Sequence, residues 1–309
     1  MEFRHVSILR QECADFLVVN PEGTYVDCTL GGAGHSQAIA DKLNAQGTLV
    51  GMDRDGDAVR TAEERLVGQF PCRIEVIRDN FKNLDGVLDG LNIVQVDGIF
   101  FDLGVSSYQL DNAERGFSYK QDGPLDMRMD RNGEFSAYQV VNSYSEDDLA
   151  EIIWNYGEER WARRIAQFIV RERKERPITT TFELVEIIKK AIPKGARKEG
   201  PHPGKRTFQA IRIEVNNELK ILDNTMRTAV ARLKPGGRIG VITFHSLEDR
   251  IVKKVFQELQ KGCICPPRLP CVCGRKPSLR DVGNMTPSSE EITVNSRARS
   301  ARFRFGIKV

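Results

Sequence analysis

Tyr25-Val26-Asp27-Cys28-Thr29-Leu30-Gly31-Gly32-Ala33-Gly34-His35-Ser36 reads as a strand that runs into a glycine loop and then into a helix. Glycines at 31, 32 and 34 remove the Cβ atoms that would hold a ligand away from the backbone. The amides that open the next helix are donors for anionic or carboxylate groups. A plain turn between strand and helix asks for one glycine rather than three. The stretch therefore points to a small-ligand site in an α/β fold.

Outward from it, the first part of the chain alternates strands and helices. Residues 36–43 predict a helix carrying Ala38, Ile39 and Leu43, and 48–52 a strand that ends in Asp53. In a doubly wound parallel sheet the ligand lies across the carboxyl ends of the strands, where a carboxylate about twenty residues beyond the glycine loop suits a ribose diol. Asp53 fits that role, or is a solvated loop acid beside Arg54 and Asp55. A third strand over 73–78 leads to Asp79-Asn80-Phe81, and Phe81 is either an adenine-stacking ring or core. A fourth strand over 96–101 empties into Asp102-Leu103-Gly104-Val105-Ser106-Ser107, which puts another acid and two hydroxyls at the same edge.

Then the alternation stops. Residues 108–132 are loop-like, polar and punctuated by Gly116, Gly123 and Pro124; a loop of that length beside a site reads as a lid. Over 136–192 the period becomes helical, with Leu149, Ile152, Ile153 and Tyr156 and then Trp161, Ile165, Phe168 and Ile169 on common faces. Trp154 and Trp161 of this inserted helical domain are expected as core or helix–helix contacts rather than base-stacking platforms. Lys189, Lys190, Lys194, Arg197, Lys198, Lys205 and Arg206, opposed only by Glu199, are either a solvated loop or phosphate contacts. Thr207 is expected to cap one long helix running from Phe208 to Leu233. Lys234-Pro235-Gly236-Gly237 then turns the chain into a strand over 238–244 that delivers His245.

Composition sets limits. With 309 residues, 40% apolar and 29% charged, the chain can bury a sizeable core and hold two domains. A net charge of +3 does not by itself call for a nucleic-acid partner; only clustering does. The first sixteen residues mix Glu2, Arg4, His5, Arg10, Glu12 and Asp15 among their apolar residues, unlike a signal peptide, and no long apolar span follows, so a cytoplasmic protein is expected. Of 7 cysteines, Cys13, Cys28 and Cys72 read as buried thiols, while Cys263, Cys265, Cys271 and Cys273 supply enough thiolates for a tetrahedral zinc at an unusual spacing. Beyond them Arg268, Arg275, Lys276, Arg280, Arg297, Arg299, Arg302 and Arg304 form a basic tail, with alternation over 301–307 that predicts a last strand.

A glycine loop, an acid closing the second strand, a strand ended by Asp-Leu-Gly and a Lys-Pro-Gly-Gly turn resemble a class I S-adenosylmethionine methyltransferase. A sharper resemblance is to the bacterial 16S rRNA cytosine-N4-methyltransferase family, RsmH or MraW. It is carried by His5-Val6-Ser7-Ile8-Leu9, Gly31 to Ser36, Asp102 to Ser107, Glu114-Arg115-Gly116-Phe117-Ser118 and Gly123-Pro124-Leu125-Asp126-Met127-Arg128-Met129. Further runs are Tyr156-Gly157-Glu158-Glu159-Arg160, Arg206 to Arg212, Phe244 to Arg250 and Arg297-Ala298-Arg299-Ser300, in order over nearly the whole chain.

The resemblance implies a Rossmann-like methyltransferase domain over 1–107 and 217–309, with a lid and a helical substrate-recognition domain inserted over 108–216. It implies S-adenosyl-L-methionine as cofactor, held by Ala33, Gly34, His35, Asp53, Phe81, Asp102 and Gln109. The implied substrate is a cytidine in the decoding region of 16S rRNA, as naked rRNA or within the small ribosomal subunit. Chemistry adds to this: an exocyclic amine needs in-line positioning and an acceptor for its proton. Asp102 is the central candidate, with Ser106, Ser107 and His245 as alternatives. A C5-cytosine methyltransferase would place a cysteine beside a proline after the fourth strand, and 102–107 has neither. Tyr108 and Phe117 are candidate stacking partners for an extruded base. A nicotinamide-dependent oxidoreductase would share the sheet, but a G-x-G-x-x-G begun at Gly32 meets Gln37 at its last glycine. A non-catalytic RNA-binding scaffold would account for the basic stretches and not for the crevice.

Overall fold

The computed structural model describes residues 7–198, 202–266 and 270–309. His5 and Val6 of the N-terminal motif, Glu199 and Arg268 lie outside them. The chain forms two compact units, Met1–Gly104 with Leu219–Val309, and Val105–Glu218.

In the first unit, strands β1 (Thr24–Asp27), β2 (Thr48–Asp53), β3 (Arg73–Arg78), β4 (Val96–Asp102), β5 (Leu233–Thr243), β6 (Leu279–Met285) and β7 (Arg302–Lys308) form one sheet in the order β3-β2-β1-β4-β5-β7-β6. Neighbours from β3 to β5 are parallel, whereas β7 runs antiparallel to both β5 and β6. Strand side chains alternate between faces. Val26, Val50, Ile99, Phe101 and Val241 accordingly enter one apolar cluster, while Tyr25, Leu49, Phe100, Ile242 and Phe303 enter another. The first cluster is closed by helices Leu84–Gly90, Leu222–Arg232 and Ser246–Lys261, and the second by Arg10–Leu17 and Gly34–Ala40. Burial on both faces explains why these strands read as nearly continuous apolar runs. Lys234-Pro235-Gly236-Gly237 lies inside β5 and not before it, as an irregularity where pairing with β4 jumps from Leu233 to Arg238 and Gly236 takes φ +80°.

The order of strand addition reverses at β1: the path steps outward to β2 and β3, then returns to β4 on the other side. The carboxyl ends of β1, β2 and β4 carry Asp27, Asp53 and Asp102. A switch point of this kind opens a crevice for ligand. Among the described residues, no helix is long and apolar enough to cross a membrane.

The second unit is helical. Helices Ala137–Ser143, Glu146–Gly157, Ala162–Glu172, Thr181–Ala191 and Gly204–Asn216 bury Val141, Leu149, Ile153, Ile165, Ile169, Leu184, Ile188 and Ile211 against one another. Three sequence expectations change here. The stretch 108–132 is not an open loop: Phe117, Leu125, Met127 and Met129 enter the helical core. Buried Arg115 donates to the carbonyls of Arg128 and Met129, and Asn216 bonds the Met129 amide and the Met127 carbonyl. Phe117, 5% exposed, therefore offers no face to a base. Trp154 is not core but 60% exposed, whereas Trp161, half-buried beneath the Arg160 guanidinium, packs against the helical core as expected. Thr207 caps nothing: the helix begins at Gly204 after Pro203, and the expected long helix is broken at Asn217, whose φ is +51°.

Candidate active site

The site in the first unit is built from strand ends. Asp53 ends β2, and its two carboxylate oxygens accept from the Gly31 amide (2.9 Å) and the Asp55 amide (2.9 Å). The carboxylate thus holds the glycine loop while each oxygen retains a lone pair for a further donor. Burial raises its pKa. The loop carbonyls are held from outside, Gly32 by Arg65 and Gly34 by Arg10. Gly31 (φ +49°) and Ala33 (φ +64°) are both left-handed, and the next helix starts without a side-chain cap. Ala33 therefore takes a strained conformation that costs about 1 kcal/mol, offset by its fully buried methyl. The missing Cβ at Gly34 serves packing: one built there would collide with Ser7 Oγ.

Asp102 ends β4. Its backbone amide donates to Thr29 Oγ1 at 2.6 Å, which fixes the strand end beside β1. Its side chain is 28% exposed, yet Oδ1 is enclosed and has no hydrogen-bond partner among the described residues. Oδ2 lies 3.5 Å from His35 Nδ1. Burial, and then the neighbouring Asp27 and Glu248 carboxylates, push the Asp102 pKa up to about 8. Asp27, wholly buried, accepts from Ser36 Oγ (2.5 Å) and the Thr29 amide (3.1 Å), and burial lifts its pKa to about 6. Buried Glu248 accepts from the Phe244 and His245 amides. Three acids close together cannot all be ionised cheaply, so the proton stays longest on Asp102, which has the least hydrogen-bonding support. Asp27, Thr29 and Glu248 escaped the sequence reading. Asp27 carried a signal, being an acid at the end of the strand before the glycine loop, and Glu248 had one in its place three residues after His245.

Phe81 sits half-exposed after β3, with one edge against Phe101 at 5.7 Å and 85°, a geometry that leaves ring surface for stacking. His245 caps the helix Ser246–Lys261 through a reciprocal box with Glu248, and its Nε2 is 3.0 Å from Glu248 Oε1. It is a strand-end capping residue. In the second unit, Ser106 Oγ accepts from the Gln109 amide, and Gln109 Oε1 accepts from the Ser106 amide. This pair opens the helix Ser107–Asp111, with Gln109 buried and Ser107 and Tyr108 half-buried.

The basic clusters are partly neutralised within the chain. Lys189 pairs with Glu186 and Lys190 with Glu172, so Glu199 is not their only opposition. In the tail, Arg304 is buried in a two-bond pair with Asp249 (2.6 and 2.9 Å), Arg302 reaches the same carboxylate, and Arg280 pairs with Asp281. β6 was missed entirely, because Leu279-Arg280-Asp281-Val282-Gly283-Asn284-Met285 alternates poorly and holds residues depleted from strands.

A sheet reversed at β1, closed by an antiparallel last pair and lined with acids at the ends of β1, β2 and β4, defines a methyltransferase of the Rossmann-like class. The glycine loop held by Asp53 and the enclosed carboxyl of Asp102 are its distinguishing furniture. The chain belongs to the MraW methylase family, whose model matches residues 2–309. It is 54% identical over 312 residues to a curated relative from Clostridioides difficile named ribosomal RNA small subunit methyltransferase H, covering all of both chains. A relative of the same name from Clostridium botulinum is 55% identical over 312 residues, again covering all of both. A solved rRNA methylase from Streptococcus thermophilus is 12% identical with a TM-score of 0.42, covering 99% of each chain.

Proposed function

We propose that this chain transfers a methyl group from S-adenosyl-L-methionine to the N4 atom of a cytidine in the decoding region of 16S rRNA, acting in the cytoplasm on rRNA or the small ribosomal subunit. The relatives' shared name supports the small-subunit rRNA as substrate. The single observation that carries the chemistry is the enclosed, unpartnered Oδ1 of Asp102 at a strand end, with a pKa pushed up to about 8.

The residues present fit the cofactor. Asp53 retains acceptor capacity for two ribose hydroxyls, Phe81 offers a ring for adenine, and Ala33, Gly34 and His35 form the loop; the family resemblance adds Gln109. When bound, S-adenosylmethionine supplies an already activated methyl on a positively charged sulfur.

What the chain must add is placement and a proton acceptor. The cytosine amine is a poor nucleophile because its lone pair is delocalised into the ring, and its proton becomes acidic as the new N–C bond forms. A carboxylate of ordinary pKa would be a weak base for that proton, whereas one tuned near the working pH is an effective one. Asp102 is therefore the catalytic residue of this reading. Its ionised form accepts from the amine, and the Asp27 and Glu248 charges raise its basicity. No covalent cysteine is required.

The test is methyl transfer with labelled S-adenosylmethionine to 16S rRNA and to small subunits from cells lacking this protein, with the product nucleoside identified by mass. N4-methylcytidine supports the reading, and the productive arm identifies naked rRNA or the assembled particle as substrate. Tight cofactor binding without incorporation into either acceptor overturns the assigned substrate.

A further inference from the structure

We infer that Cys263, Cys265, Cys271 and Cys273 form a structural zinc site that ties the end of the helix Ser246–Lys261 to the edge strand β6. Their sulfur atoms all lie within 4.8 Å of one another. Cys263 is 3.4 Å from Cys271, Cys271 is 3.7 Å from Cys273, and Cys273 is 3.8 Å from Cys263. Four sulfurs about 2.3 Å from a tetrahedral zinc stand about 3.8 Å apart. The spacings are thus close to those of a metal cage and far longer than a disulfide bond of about 2.05 Å.

The Cys-x-Cys spacing has a physical reason. In extended chain, residues two apart point the same way. Each arm therefore turns both its thiols inward and its middle residue outward, and Ile264 and Val272 are 63% and 88% exposed. Left-handed Gly262 and Gly274 bound the two arms. Below them the chain closes on itself: a Cβ on Gly262 would collide with Lys276 and Pro277, and the Ser278 amide donates to the Leu259 carbonyl at 2.8 Å. The described part of this loop thus has a pinned base and no apolar core, since its two large apolar side chains face water. What converges at its centre is sulfur.

The surroundings suit a thiolate cage. The Val272 amide donates to Cys265 Sγ at 3.4 Å. Exposed Arg275 and Lys276 follow directly and offset the negative charge of four thiolates around a divalent cation. Four soft sulfur donors at tetrahedral spacing select zinc among the common divalent ions. A closed four-sulfur shell keeps no open position for substrate, so the metal holds structure and takes no part in methyl transfer.

The test uses the full chain, purified untagged and without chelators, with zinc measured by plasma mass spectrometry and free thiols counted on the same sample. Expected are about one zinc per chain and only the buried Cys13, Cys28 and Cys72 left unmetallated. Displacement of the zinc by Co2+ should give the visible absorption of a tetrahedral thiolate complex. The C271S/C273S double variant should lose the metal and exchange amide hydrogens faster over 262–278, with cofactor binding unchanged. Zinc-free protein with all thiols reduced that takes up no added zinc overturns the inference, as does a disulfide among the four or iron in their place. Should the double variant fail to fold, the metal and thiol counts on the native chain still decide.

Discussion

Nδ1 of His35 lies 3.5 Å from Oδ2 of Asp102, while Nε2 of the same ring lies 2.9 Å from the Ile8 carbonyl oxygen. A carbonyl can only accept, so Nε2 carries a ring proton, and Nδ1 is the ring atom that faces the Asp102 carboxyl. Burial, with the Asp27 and Glu248 carboxylates nearby, lifts the Asp102 pKa to about 8, so the carboxyl holds its proton well above the usual carboxylate range.

Cofactor affinity should then depend on pH. A positive sulfonium in this crevice favours the ionised carboxyl, so binding expels a proton. Affinity for S-adenosylmethionine should rise by up to about tenfold per pH unit below about 8 and flatten above it. S-adenosylhomocysteine, which lacks the sulfonium charge, should show a shallower slope. Calorimetry across pH checks this, and an unchanged slope in D102N would remove Asp102 as the source.

The same group makes folding pH-dependent with a defined sign. The Asp102 pKa is raised in the folded state from 3.8 to about 8, so the folded chain binds the extra proton. Stability from this group is fully present below about pH 4 and is lost as pH rises toward 8. Relative to D102N, the cofactor-free protein should lose roughly a few kcal/mol over that window. Denaturant unfolding at several pH values measures the difference, and Asp27, with its pKa near 6, adds to the fall in both proteins.

Asp53 is predicted to act on ligand and loop together. D53A removes the acceptor for the Gly31 amide as well as for ribose hydroxyls, and hydrogen bonds to a charged group contribute about 1.5–3 kcal/mol. Cofactor affinity should fall by about ten- to a hundredfold. D53N, which keeps an acceptor oxygen, should recover part of the loss. Isothermal titration of both variants distinguishes a ribose contact from a purely structural acid, for which affinity would track stability alone.

Much of the crevice was legible because strand ends announce themselves: Asp53 and Asp102 each close an apolar run, and β3 fell on its expected residues. What failed to show was tertiary. Polar composition made 108–132 look mobile, yet Arg115 and Asn216 satisfy its backbone from within and let Phe117 and Met127 be buried. Helical period carried the long helix straight through Asn217, whose left-handed φ no periodicity encodes. Charge counting could not foresee that Arg304 faces Asp249, because that pairing depends on β7 lying beside β5.

Arg304 yields a prediction of its own. It is 6% exposed and makes the two short hydrogen bonds to Asp249, so R304M leaves a partly buried carboxylate with only the long contacts of Arg302 (3.9 Å) and Thr243 (3.4 Å). Destabilisation of about 2–4 kcal/mol is expected, read as a lower denaturant midpoint at unchanged slope. The salt dependence of RNA binding should stay as in the parent, since a residue committed to Asp249 neutralises no phosphate.

Phe117 and Trp154 exchange the roles that sequence assigned them, and a pair of substitutions separates the two arrangements. Phe117 is packed in the helical core, and truncation there removes about 3–5 kcal/mol of stability, as for other buried aromatics. Trp154, 60% exposed on the helix Glu146–Gly157, should cost no more than about 0.5 kcal/mol when changed to alanine. Chemical denaturation of F117A and W154A measures both. If the losses were reversed, with W154A the more damaging, the helical unit would be packed through the tryptophan and not through the stretch 108–132. With the order as the structure has it, any loss of RNA affinity in W154A reports a contact of an exposed ring with a base, because the fold beneath it is intact.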